Sequence, residues 1–100
     1  MALKVEWSLE ARENLSKVFS FLEREWTEKE IRKFSRRIEE QLHIISNHPA
    51  TYKKSEKLVG TRECLLSRHN SLLYTFNEDT LFVVTVWNNY QNPDKLKPIK

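Results

Sequence analysis

The sequence has little of what several protein classes depend on. One cysteine, Cys64, in 100 residues excludes an internal disulfide framework and a cysteine-rich metal site. A single glycine, Gly60, excludes glycine-rich phosphate loops and the Gly-x-Ser-x-Gly nucleophile elbow, which need several. Low glycine and proline together with 11% aromatics argue against a disordered chain. No apolar run approaches the ~18 residues of a membrane-spanning helix, so no membrane partner is expected. The opening residues, Met1 to Trp7, hold no apolar signal-peptide core. The expectation is a single domain over 1–100, reduced and cytoplasmic.

Charge is nearly balanced, at +3 with histidine neutral. The helical-looking stretch 8–47 carries eight basic and eight acidic residues, and 71–100 carries three of each. The excess therefore lies in 48–70, where Lys53, Lys54, Lys57, Arg62 and Arg68 face Glu56 and Glu63. Such an excess reads either as a solvated loop or as a basic rim for an anionic partner.

Periodicity divides the chain. Leu3, Val5 and Trp7 alternate with Lys4 and Glu6, as in a strand with one buried face. Ser8 stands where an N-cap belongs. Ala11, Leu15, Val18, Phe19, Leu22 and Trp26 then share one stripe of a helix over 9–26. Thr27 and Glu30 form a capping box that opens a second helix. Its stripe is Ile31, Phe34, Ile38, Leu42 and Ile45, and Asn47-His48-Pro49 ends it. The link is so short that the two helices form a hairpin over 9–47.

After a polar loop the period becomes two. Strands are expected at 61–67, 72–76 and 81–87, with an irregular tail at 88–100. Trp87 continues the parity of Leu81, Val83 and Thr85. The fold class is α+β, in the order β-α-α-β-β-β. The helical hairpin packs on one face of a mainly antiparallel four-stranded sheet, with the meander 61–87 as its main part and strand 3–7 at its edge.

Little in the sequence signals catalysis. His43, His48 and His69 show no metal-ligand spacing, so no metal and no cofactor is expected. His69, beside Arg68 in a turn, has the chemistry of a general base, although a lone turn histidine is usually solvated. Cys64 would need a base and an electropositive niche to act as a nucleophile. Arg62, Arg68, Trp87 and Tyr90 together suit a polar-aromatic binding surface.

The element order resembles the RelE/ParE toxins of type II toxin–antitoxin modules. So do Ser8-Leu9-Glu10-Ala11 at the first helix, Asn47-His48-Pro49 at the end of the second, and Arg62 followed by Asn70-Ser71-Leu72-Leu73-Tyr74. The ending Trp87-Asn88-Asn89-Tyr90-Gln91-Asn92-Pro93 is similar to a ParE-like subgroup that ends in Asn-Arg-Gln-Asn-Pro. The resemblance implies a growth-inhibiting toxin, of the kind that stabilises plasmids, neutralised by a cognate antitoxin protein. ParE-like members poison DNA gyrase; RelE-like members cleave mRNA on the ribosome.

The nuclease branch places cations at four positions. Here Arg62 fills the first, while Cys64, Ser71 and Gln91 stand at or near the others and Tyr90 replaces its subgroup's arginine. Losing one electrostatic donor typically costs ~2.7–4 kcal/mol of barrier. The expectation is therefore a ParE-like toxin that binds gyrase. The alternatives are a ribosome-dependent mRNA endonuclease with a reorganised site, whose catalytic candidates are Arg62, Arg68, His69 and Tyr90, or a catalytically inactive relative. The expected target or antitoxin surface is Arg62, Arg68, Trp87, Tyr90 and Gln91.

Overall fold

The structure is a computed structural model and describes residues 2–89. The expected tail, including Tyr90 and Gln91, lies outside the described residues. The elements are β1 (Lys4–Trp7), α1 (Leu9–Glu25), α2 (Glu28–Asn47), β2 (Arg62–Leu65), β3 (Asn70–Phe76) and β4 (Thr80–Asn88). The helices pack on a four-stranded sheet of order β1-β4-β3-β2. The pairs β2–β3 and β3–β4 are antiparallel, and β1 joins β4 in parallel. The expected α+β fold is the observed one.

Local chemistry places the helix ends. Ser8 Oγ accepts from Ala11 N at 2.9 Å, capping α1. Thr27 Oγ1 accepts from Glu30 N at 3.2 Å, and Thr27 N donates back to Glu30 Oε1 at 3.0 Å. That reciprocal box starts α2 two residues after α1 stops. Trp26 is thus not a helical residue but the cap of α1, with its N–H on Leu22 O at 2.7 Å.

The core lies between the sheet and the helices. Ala11 and Leu22 of α1 and Phe34, Ile38 and Ile45 of α2 meet Cys64, Leu72, Tyr74, Leu81, Val83 and Val86. Alternation along a strand sends the intervening residues to the other face. That outer face therefore takes Glu63 and Leu65 from β2, Ser71, Leu73 and Thr75 from β3, and Phe82 from β4.

One irregularity overrides simple parity. The β3–β4 register shifts between Leu73 and Tyr74: Tyr74 opposes Val83, yet Leu73 opposes Thr85. Val84 is the extra residue of a β-bulge, so residues beyond it change sides. Val86 joins the core instead of Thr85, and Trp87 falls opposite Ser71. The expected shared parity of Trp87 with Leu81 and Val83 is corrected by this bulge.

Candidate functional site

The start of α1 is fastened to β4. Ser8 N donates to Val83 O at 3.0 Å and Ser8 Oγ to Val84 O at 2.6 Å. Two turns on, Asn14 Nδ2 reaches Thr85 Oγ1 at 2.9 Å and Val86 O at 3.4 Å. β1 stops at Trp7, opposite Val83, so α1 takes over along the part of the β4 edge that β1 leaves bare. Edge strands need such cover.

Between α1 and the end of β4 opens a cleft of about 980 Å³. Val18, Phe21 and Trp26 give it an apolar side; Asn14, His69 and Thr85 give it a polar one. Phe21 is half exposed. A second cleft of about 660 Å³ lies between α2 and the β2–β3 turn, where Lys33, Arg36 and Arg37 line it beside Glu40. Trp26 and Phe34 border both, so the clefts form one groove, with Glu10, Lys17 and Glu25 at one end and a net basic set at the other. Phe34 is held edge-on by Phe19, with centroids 5.5 Å apart.

The structure separates the candidates named from sequence. Arg62 opposes Tyr74 on the helix side of β2. Its guanidinium donates to Tyr52 O at 2.7 Å and lies 5.8 Å from the Phe76 ring centroid. It works as a staple between β2 and the preceding loop. Trp87 is 4% exposed and lies by register on the opposite face, so Arg62 and Trp87 share no surface. Trp87 Nε1 is buried without a hydrogen-bond partner among the described residues.

Arg68 and His69 sit in the β2–β3 turn. Asn89 ties that turn to the end of β4: its N donates to His69 O at 2.7 Å, its Nδ2 to Arg68 O at 3.3 Å, and its Oδ1 accepts from Ser71 Oγ at 3.0 Å. Arg68 is exposed and His69 borders the α1–β4 end of the groove.

Cys64 is fully buried. Desolvation pushes its thiol up to about 12, and the nearby Arg37 charge only partly opposes this. A thiol so poorly ionised is no nucleophile at neutral pH. Burial likewise pushes Tyr74 up to about 12, and its hydroxyl donates to Pro49 O at 2.6 Å. Among the described residues no cluster of three or more His, Cys, Asp or Glu side chains can hold a metal, and no helix is long and apolar enough to cross a membrane.

The chain's relatives match this architecture. The family described as ParE toxin of type II toxin-antitoxin system, parDE, matches residues 5–93. The chain belongs to that family. Among solved structures, the chromosomal ParDE system from P. aeruginosa aligns with a TM-score of 0.70 at 16% identity, over 87% of this chain and 96% of that one. The E. coli DinJ-YafQ toxin-antitoxin complex gives 0.62 at 9%, over 90% and 96%. The YoeB dimer from Staphylococcus aureus gives 0.57 at 20%, over 85% and 94%. At these identities the likeness is one of fold. No curated protein sequence is significantly similar to the chain.

Sequence reasoning on this ParE-family chain missed the groove. Asn14, Thr85 and Asn89 help to build it and carried no motif. The stripe positions Trp26 and Phe34 were legible, but only the packing that leaves Trp26 partly exposed over a buried Phe34 makes them a groove floor.

Proposed function

We propose that this chain is a toxin held by an antitoxin segment in the Trp26–Phe34 groove, and that it acts on DNA gyrase by protein contact and not by cutting RNA. The observation that carries the second half is the outer face. Glu63, Leu65, Ser71, Leu73, Thr75 and Phe82 hold no cation, and Arg62 is turned inward. Phosphoryl transfer needs preorganised positive charge where the phosphate develops charge, and a proton acceptor for the attacking hydroxyl. The outer positions of β2, β3 and β4 supply no cation of their own, and their one carboxylate, Glu63, is engaged by Lys57 and Ser55.

The groove supports the first half. An amphipathic helix lays its apolar side into such a cleft, and carboxylates on its flank meet Lys33, Arg36 and Arg37. A segment of this kind is disordered alone and orders on binding. The toxin–antitoxin complexes among the solved structures of like fold favour such a partner.

The test is a supercoiling assay with purified chain and gyrase. Inhibition that disappears on adding the protein encoded beside it supports the reading. Full gyrase activity at micromolar chain contradicts the gyrase half, and failure of the neighbouring product to co-purify contradicts the antitoxin half.

A further inference from the structure

Outside the groove, Leu9 on α1 and Ile44 on α2 expose single apolar side chains, and the loop before β2 exposes two in succession. Val59 is 97% exposed and Leu58 40%, and Leu65 on the outer face of β2 is 49% exposed. Apolar tips rimmed by polar residues mark interaction sites.

This tip is not slack. Thr61 N and Oγ1 both donate to Leu58 O, at 3.3 and 2.7 Å. Ser55 N donates to Thr61 O at 2.8 Å, closing the loop on itself. Ser55 Oγ accepts from Lys57 N at 3.0 Å and donates to Glu63 Oε1 at 3.1 Å. Lys57 Nζ pairs with Glu63 Oε2, anchoring the loop to β2. Gly60, at φ 88°, supplies the left-handed step that turns the tip outward. An ordered apolar tip binds without the entropy cost of being ordered on contact.

The surroundings carry a net positive charge. The stretch 50–61 has Lys53, Lys54 and Lys57 against Glu56. Lys57 is occupied by Glu63, whereas Lys53 and Lys54 are exposed. None of these residues lines the groove. Nucleic-acid affinity comes mainly from phosphate contacts, to which an apolar tip adds nothing. The chemistry that fits is an apolar pocket with a carboxylate rim on a protein.

We propose that the Leu58–Val59 tip is the contact by which this chain grips its target protein, with Lys53 and Lys54 meeting acidic residues around the pocket. The proposal rests on the protein-binding reading above but does not require the target to be gyrase.

The test expresses the full chain, without antitoxin, as wild type, Val59→Asp, Leu58→Ser and the pair Lys53→Glu with Lys54→Glu. Thermal melting and antitoxin co-purification of each are followed alongside growth. The expected result is that Val59→Asp needs about tenfold or more induction for equal growth arrest. Leu58→Ser and the lysine pair shift in the same direction, with melting and antitoxin binding unchanged. Full toxicity of Val59→Asp overturns the proposal, as does a wild-type chain that does not slow growth. Joint loss of toxicity and antitoxin binding overturns it by assigning the tip to the antitoxin. An effect confined to the lysine pair, with binding to duplex DNA, overturns it in favour of nucleic acid. Wild-type toxicity without gyrase inhibition removes the gyrase reading alone, and the tip is then judged by the growth of Val59→Asp.

Discussion

The two faces of the sheet differ in how their residues are satisfied. Under the helices, Leu72, Tyr74, Leu81 and Val83 are fully buried, and Arg62 among them is fixed by a backbone carbonyl and an aromatic ring. On the outer face, Glu63 is held by a loop that comes to it, while Leu65 and that loop's Leu58–Val59 tip stay exposed. A polar residue on the first face serves stability. On the second face Leu73 and Trp87 are buried, but Leu65 is half exposed and makes little use of internal packing, which is why it points to a partner.

That contrast predicts a ranking of substitutions. The largest effect belongs to the covered side. Ile45→Ala removes a fully buried side chain of α2 and should cost ~2–5 kcal/mol, lowering Tm by at least about 8 °C. A melt within about 2 °C of wild type would break the comparison at its strongest point.

Next comes the hinge between the regions. Burial alone would raise Glu63, but hydrogen bonds from Lys57, Ser71 and Ser55 and the Lys57 charge outweigh it and hold the carboxyl below 4.5. A depressed folded pKa contributes stability above the unfolded value, lost as pH falls through the folded one. Glu63→Gln should therefore cost about 1–3 kcal/mol at pH 7. It should also flatten the stability loss that wild type shows below about pH 4.5. Equal acid sensitivity in both proteins would show that Glu63 is not the anchor.

Smaller effects belong to the loop itself. Gly60→Ala meets open space but forces a left-handed alanine, at about 1 kcal/mol. Val59→Asp should change stability by no more than about 0.5 kcal/mol, since nothing packs on so exposed a side chain. Urea melts of the two, side by side, sharpen the distinction between a strained backbone and a free side chain. Cys64 offers a chemical counterpart. Its buried thiol should react with a disulfide reagent only when urea unfolds the chain, and rapid native labelling would contradict the burial.

Much of the fold was legible because local chemistry and tertiary structure agree. Ser8 and the Thr27–Glu30 box announced both helix starts, and period-two runs announced the meander. The strand limits moved by a few residues, as for β3, which begins at Asn70. The bulge at Val84 was not legible, since one extra residue leaves no mark in a run of β-branched side chains. Strict alternation therefore puts Trp87 on the wrong side. For Arg62 parity is informative: it shares the side of Cys64 and Leu66, both buried, which favours an inward guanidinium. The groove needed the third dimension, because Asn14 and Thr85 are 71 residues apart in sequence.

The central claim is that this ParE-family chain acts through contacts and not through RNA chemistry. The direct measurement is primer extension on an mRNA translated by purified ribosomes, with the chain added in molar excess. The account predicts no new A-site ends, while the same preparation inhibits its protein target. Codon-specific cuts that vanish with Arg62→Ala or His69→Ala, in variants that keep the wild-type melt, would contradict it.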